Sequence, residues 1–514
     1  MLFEEVARAS LSVAATSART AKVEALAACL RRARPEEVPV AVTYLSGTLA
    51  RIGVGWASLR DLPAPASPPP TLELLDVERA LHRVAAIQGP GSQASRRSEL
   101  AQLFARATEP EQRFLVGILH GELRQGALEG VMVEAVARAA DVPPADVRRA
   151  VMLAGELPVV ARAALERGRE DLSRFRLEVL RPVKPMLAQA ADRVTDAIAR
   201  TGPAAVEWKL DGARLQVHRR GDDVRAFTRN LADVTDRVPE VVDAIGRLPV
   251  ESAVFDGEVI ALRCDGRPQP FQVTMGRFGS SVQTAGSRSA MPLSVFLFDC
   301  LHLDGDDLLG RPFVERSALL GARVPEGLRV ARIETNEPET AERFLEDTLA
   351  HGHEGVIVKA LDSPYEAGRR GAAWLKVKRA HTLDLVVLAA EWGHGRRQGR
   401  LSNLHLGARD PSGGGLVMLG KTFKGMTDAM LAWQTEKLLE LAVGQEGHVV
   451  RVRPELVVEV AFDGVQRSSR YPGGLALRFA RVKGYRPDKV ASEADTIDAV
   501  RAFLGDAGSS AVEG

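Results

Sequence analysis

Apolar residues recur at helical spacing through residues 1–180, for example over 21–34, 77–87 and 97–107, and predict an all-α domain. A proline cluster at 63–70 interrupts it as a stiff linker between helical subdomains. From Pro182 the texture changes to short β-rich runs with glycine turns. Runs at 205–209, 215–219, 224–228, 253–262, 293–303, 355–359 and 373–378 predict strands, with helices between them at 191–200, 234–248, 313–320 and 339–351. Residues 181–383 therefore read as an α+β domain built on antiparallel sheets.

Beyond residue 383 the pattern is all-β with one helical interruption. Strands are predicted at 383–392, 404–409, 417–422, 449–454, 457–464 and 477–482, with a helix at 427–442, which fits a small closed barrel of the OB type over 384–505. The last residues, 506–514, read as a frayed, flexible tail.

Composition narrows the class. A chain of 514 residues exceeds one hydrophobic core and implies about three domains. No apolar run approaches the ~18 residues of a membrane span, and the first residues carry acids rather than a basic leader, so a cytoplasmic protein with no membrane partner is expected. The three cysteines, Cys29, Cys264 and Cys300, are too scattered for a disulfide framework or a four-cysteine zinc site. The net charge is +1 and no region is basic as a whole, so a phosphate-binding surface would have to arise by sorting charges onto one face.

The candidate chemistry centres on Glu207-Trp208-Lys209-Leu210-Asp211-Gly212-Ala213-Arg214, which puts a lysine at a strand end beside an Asp-Gly turn. Lys209 alone reads either as an exposed edge lysine or as a nucleophile, which must attack as the neutral amine and so needs burial or cationic neighbours. Other strand ends carry Arg229, then Asp256 and Glu258, then Phe298, then Glu354 to Lys359, then Lys376 and Lys378. Alternation in the last two runs gathers charged residues on one face. Lysines, an arginine and two glutamates together suit a polyphosphate with a divalent cation. Phe298 alone reads as core, inside a continuous apolar run. The stretches around Gly47 and over 124–130 are either helix C-caps or places where backbone N–H groups approach a phosphate.

The run Lys209-Leu210-Asp211-Gly212 followed by Arg214 resembles the nucleotidyl-lysine motif of covalent nucleotidyltransferases, and the later segments resemble that superfamily's remaining motifs in order. Over residues 1–505 the chain is similar to the three-domain bacterial type of ATP-dependent DNA ligase. Pro185-Met186-Leu187-Ala188 resembles the entry into their catalytic domain, 124–130 a loop of their duplex-binding domain, and Leu477-Arg478-Phe479-Ala480-Arg481 their last motif. The resemblance implies a helical DNA-binding domain at 1–180, an adenylation domain with ATP-grasp-like antiparallel sheets at 181–383, and an OB-fold domain at 384–505.

By the same resemblance, Lys209 attacks the α-phosphate of ATP, Glu207 lies near the adenine, and Arg214 and Arg229 meet the ribose or phosphates. Glu258 is implied near the ribose and metal, Phe298 stacked on adenine, Glu354 on the metal (Mg2+ or Mn2+), and Lys376 and Lys378 at the α-phosphate. Arg478, Arg481 and Lys489 would close over pyrophosphate, with a hinge near His381 and Thr382. Arg124, Gly126 and Gly130 are implied as DNA contacts, and Gly47 is a candidate contact from its own glycine-bearing stretch. In the segment 482–486 the basic positions are shifted from the family's pattern, which leaves Arg486 without a role.

The expectation is a monomeric DNA ligase that seals 3′-hydroxyl/5′-phosphate nicks in duplex DNA through lysyl-AMP and DNA-adenylate, cytoplasmic and nucleoid-associated, in replication, repair or recombination. The alternatives are an RNA ligase or capping-type nucleotidyltransferase, and a non-catalytic nick-binding protein. The helical N-terminal region weighs against the first, and the intact Lys209, Glu258, Glu354, Lys376 and Lys378 against the second.

Overall fold

The computed structural model describes residues 1–48, 59, 63–66, 69–121, 123, 129–279, 292–367, 372–378, 381–394 and 397–504. The chain forms two compact units, the first comprising Met1–Gln269 and Thr274–Val377, the second Pro270–Val273 and the chain from Lys378 on.

The first unit opens with helices from Phe3–Ala14 to Arg169–Leu172, and the described residues before Gln189 contain no strand. Helix Glu109–His120 shows how the local sequence sets the bounds: Thr108 and Glu111 form a capping box, with the Thr108 N–H donating to Glu111 Oε2 at 2.8 Å, and Gly121 ends the helix at φ 66°. The helices bury a shared core that includes Phe3, Leu26, Tyr44, Val77, Phe104 and Val136.

Two antiparallel-rich sheets follow, as the alternating runs predict. Their strands are β1 (Gln189–Ala191), β2 (Ala204–Lys209), β3 (Ala213–Arg220), β4 (Asp223–Thr228), β5 (Ser252–Ala261), β6 (Leu293–Leu303), β7 (Asp306–Asp307), β8 (Arg332–Thr335), β9 (Gly355–Ala360) and β10 (Trp374–Lys378). One sheet has the order β1-β10-β9-β2-β8 and the other β4-β3-β5-β6-β7. In the first sheet Val206, Val356, Val358, Leu375 and Val377 face a core shared with helices Val194–Thr201 and Pro338–Ala350. The opposite face is left to Glu207, Lys209, Lys359 and Lys376, because strand side chains alternate. In the second sheet Leu215, Val217, Val259 and Leu297 are buried against helices Pro239–Gly246 and Phe313–Arg323.

The second unit holds β11 (His381–Trp392), β12 (Leu401–Arg409), β13 (Leu416–Thr422), β14 (Ala442–Glu446), β15 (Val449–Val452), β16 (Val457–Phe462), β17 (Gly464–Arg467), β18 (Leu475–Arg478) and β19 (Arg481–Tyr485), with helix Asp428–Glu440. Seven of these strands form one sheet, while β17 and β18 pair separately.

Two expectations are corrected. The strand expected over 477–482 is two strands, because Phe479 takes a left-handed φ of 55° that turns the chain between β18 and β19. The strand expected over 457–464 likewise breaks at Asp463. His381 and Thr382, near which a hinge is expected, are paired with Phe462 and Ala461 inside β11, and the division between units falls after Val377. Short strands β1 and β8 and helix Phe271–Gly279 lacked a readable period. Among the described residues no helix is long and apolar enough to cross a membrane. Cys29 and Cys300 are buried and Cys264 exposed, all as free thiols.

The deepest charge pair lies behind the second sheet. Arg316 and Asp299 are both fully buried, bonded at 2.8 and 3.0 Å, and the guanidinium also donates to the carbonyls of Arg311 and Ser363. Removing one member leaves the other charge buried and unmet. Asp299→Ala is therefore expected to lower stability by about 3–5 kcal/mol in urea unfolding, and the paired replacement Asp299→Ala/Arg316→Met by clearly less. Equal losses in the single and double variants would contradict this account.

Candidate active site

Lys209 ends β2, directly opposite Gly355 of β9, and that register sets Glu354 beside it although 145 residues separate them in sequence. The Glu354 N–H donates to the Lys209 carbonyl at 3.2 Å, and the Lys209 ammonium donates to Glu354 Oε2. The Lys209 side chain is only 17% exposed. The nearest charged partner of the candidate nucleophile is thus a carboxylate, where cationic neighbours were expected.

The turn after Lys209 brings the chain into β3 against β5. A Cβ at Gly212 would run into the Val259 carbonyl, so a side chain cannot be accommodated in this turn. Arg214, two residues on, points to the same face as Asp256 and grips it with both ends of its fork, Nε to Oδ1 at 3.0 Å and Nη2 to Oδ2 at 2.5 Å. Its Nη1 donates to the Met186 carbonyl at 2.7 Å. Three of its five N–H donors are therefore used within the protein.

Glu207 and Lys359 form a nearly dry ion pair at 2.6 Å, with exposures of 2% and 1%. Arg332, opposite Glu207 across β2 and β8, lies 3.3 Å from its other oxygen. The Lys359 ammonium donates to the Phe298 carbonyl at 3.1 Å and so ties the two sheets together. It also lies over the rings of Phe298, Phe313 and Trp374, at 4.5, 4.7 and 4.3 Å. Burial holds Lys359 below the usual lysine range, with Glu207 opposing.

Phe298 is half-buried between buried neighbours, its ring edge-on to Trp374 at 6.2 Å with the Arg214 guanidinium 5.2 Å from its centre. Glu258 sits half-buried on β5, paired in register with Arg214. Burial pushes its carboxyl up to about 7, against the pull of Lys209 and Arg214.

The structure therefore brings Glu207, Lys209, Arg214, Glu258, Phe298 and Glu354 around the faces of two sheets. Lys376 is half-buried on β10, on the face opposite Leu375 and Val377. Arg229 is exposed on the turn after β4. Lys378 belongs to the second unit, 3.2 Å from Asp463, whose other oxygen is 3.5 Å from Arg481. Arg478 lies on β18 with its guanidinium 6.0 Å from the Phe479 ring. Arg486 and Lys489 both pair with Asp384, at 3.0 and 2.6 Å.

In the helical part, Gly47 is the left-handed C-cap of helix Val38–Ser46, at φ 67°, the capping alternative for that stretch. Gly130 lies exposed in the first turn of helix Glu129–Ala140, and Arg124 and Gly126 lie outside the described residues. Sequence reading missed Lys359, Asp256 and Arg332 as site residues, although Lys359 and Asp256 stand in the singled-out runs. Their partners were fixed only by cross-strand register.

Residues 185–378 match the family described as ATP dependent DNA ligase domain, 397–489 its C terminal region, and 58–137 the DNA ligase N terminus. The chain is 61% identical over 509 residues to a probable DNA ligase of Anaeromyxobacter sp. (strain Fw109-5), covering 98% of each chain. It is 60% identical over 506 residues to a probable DNA ligase of Mycolicibacterium gilvum (strain PYR-GCK), covering 98% of this chain and 99% of that one. The solved structure Pmar-Lig_PreS3 shares the fold, with a TM-score of 0.61 at 19% identity over 95% of this chain and 99% of its own. Two five-stranded sheets that gather a lysine, carboxylates and cations on their faces go with a nucleotidyl-transfer fold. The chain belongs to the ATP-dependent DNA ligase family.

The raised Glu258 carboxyl has a consequence for stability. Between the ordinary carboxylate value of 4.5 and about 7 the folded protein keeps a proton that the unfolded chain has lost, so Glu258 makes folding less favourable as pH rises through that window. Glu258→Gln is expected to flatten the pH dependence of the unfolding midpoint between those values, the difference from the parent growing toward about 3 kcal/mol at neutral pH. Parallel curves for parent and variant would show that burial does not perturb this carboxyl.

Proposed function

We propose that this ligase seals 3′-hydroxyl/5′-phosphate nicks in duplex DNA by three successive transfers at phosphorus, the first two through Lys209. The neutral Lys209 amine attacks the α-phosphorus of ATP, a P–N bond forms, and pyrophosphate leaves with the electrons of the broken P–O bond. The nick 5′-phosphate then attacks the same phosphorus and releases the lysine, giving a DNA-adenylate. The 3′-hydroxyl finally attacks the 5′-phosphate and expels AMP.

The observation that carries this reading is the largely buried Lys209 Nζ with the Glu354 carboxylate in contact. In that position Glu354 is the group able to hold or take the proton the amine must lose. The half-buried Glu258 carboxyl faces the same charge. Glu258 and Glu354 would hold a divalent cation, Mg2+ or Mn2+, through hard carboxylate oxygens. Bound there, such a cation would neutralise charge on the phosphates during transfer.

In this reading Glu207 lies near the adenine and Phe298 stacks on it, Arg214 and Arg229 meet the ribose or phosphates, and Lys376 and Lys378 the α-phosphate. Arg478 and Arg481 meet the leaving pyrophosphate. Residues 1–180 bind the duplex, with Gly47, Arg124, Gly126 and Gly130 against its backbone, residues 181–383 form the adenylation domain, and residues 384–505 form an OB-fold domain. The protein acts as a monomer in the cytoplasm, at the nucleoid.

Incubation with α-labelled ATP and Mg2+ is expected to label the protein covalently, and Lys209→Ala to abolish the label and the sealing of nicked DNA. An unlabelled parent, or a labelled Lys209→Ala variant, sinks the mechanism. Faster sealing of nicked RNA than nicked DNA would favour an RNA ligase instead.

A further inference from the structure

The short strap Ser363–Ala367, between β9 and β10, is used by none of the steps above, yet it carries a fully engaged phenol. Tyr365 is 2% exposed, and its O–H donates to Asp256 Oδ2 at 2.6 Å while its oxygen accepts the Met186 N–H at 3.0 Å. Asp256 is itself fully buried and holds Arg214 through both carboxylate oxygens. Arg214 returns to the same residue, its Nη1 donating to the Met186 carbonyl at 2.7 Å. The bonds close a ring: Met186 N–H to Tyr365, Tyr365 to Asp256, Asp256 to Arg214, and Arg214 to the Met186 carbonyl.

A ring of this kind determines orientation more firmly than its separate bonds. An arginine fork on a carboxylate can still rock about the shared axis, and in a nearly dry site each bond polarises the next. Here the carboxylate is fixed by the phenol, the phenol by one face of the Met186 peptide, and the guanidinium by the next peptide carbonyl. The Arg214 guanidinium is left between two rings, 5.2 Å from the centre of Phe298 and 5.8 Å from that of Trp374, and Tyr365 packs edge-on to Trp374 at 5.8 Å.

The same strap is fastened to the helical part of the unit. Ala367 N–H donates to Met152 Sδ at 3.3 Å, and Glu366 N–H to Met186 Sδ at 3.4 Å. Met152 lies in helix Pro144–Ala154 and shares a buried cluster with Met186, Tyr365 and Trp374.

We propose that Tyr365 is a positioning residue for nucleotidyl transfer, holding Asp256 so that Arg214 presents its two remaining N–H donors to the nucleotide in one orientation. This rests on the reading of Lys209 as the nucleotidyl acceptor. Tyr365 touches no reacting atom. Its hydroxyl acts through Asp256, and the strap passes the seating of helix Pro144–Ala154 to the Arg214 guanidinium.

The test uses the full chain and single-turnover labelling of Lys209 by α-labelled ATP at rising ATP concentration. Tyr365→Phe removes one oxygen and keeps the ring. It is expected to lower the saturating labelling rate at least about tenfold, as a slight misplacement of a positioned group does, with the thermal midpoint within a few degrees of the parent. Arg214→Lys is expected to lose more, and the double variant no more than Arg214→Lys alone, because the phenol has nothing left to orient. Losses that multiply in the double variant, or a Tyr365→Phe rate equal to the parent's, overturn the proposal. A loss that tracks only the thermal midpoint and is regained on cooling would mark Tyr365 as structural and overturn it as well. If the parent itself takes no label, it is the Lys209 mechanism that fails, which separates the two ideas.

Discussion

A charge taken out of water has to find its counter-charge inside the protein, and that requirement orders the faces of the two five-stranded sheets. Glu207 is met by Lys359 and Arg332, Asp256 by Arg214, and Asp299 by Arg316. The first two join strands distant in sequence, so satisfying those charges also aligns the strands that carry them, whereas the third fastens helix Phe313–Arg323 to β6. Lys359 shows this most clearly, since one ammonium pairs with Glu207 of the first sheet and donates to the Phe298 carbonyl of the second. Removing a member would leave a buried charge unmet and would also release the relative setting of the two faces.

Lys209 stands at the edge of this arrangement under a different balance. Its ammonium contacts Glu354, whereas attack on a phosphorus needs the neutral amine. Attack by Lys209 would therefore require that the Glu354 carboxylate be engaged elsewhere or take the proton. Glu258, pushed up to about 7 by burial, is already poised between its two forms at neutral pH. Two carboxyl groups in different surroundings can thus act differently on one lysine.

The strands were legible because burial on one face writes a period of two. Leu293 to Asp299 shows it, as does the run that became β2, where Ala204 and Val206 are buried in the core and Glu207 and Lys209 lie on the other face. Where one face is not apolar, as in β1 and β8, the period fades and the strands went unread. The break at Phe479 was equally hidden, since a left-handed φ in a non-glycine residue leaves no mark in composition. Gly47 was readable as a C-cap because that conformation selects glycine.

By itself the sequence determined which residues could carry the chemistry, since Lys209, Arg214, Glu258, Glu354 and Lys376 all stand in short runs whose alternation or turn signals place them at strand ends or on one strand face. What it could not determine was their pairing. That Lys209 meets Glu354 across 145 residues, that Lys359 is the counter-charge of Glu207, and that a phenol at Tyr365 anchors Asp256 are outcomes of sheet register and long-range packing. The physical reason is range: side-chain alternation is a local property of the backbone, whereas the partner of a buried charge is chosen by whichever distant strand closes over it.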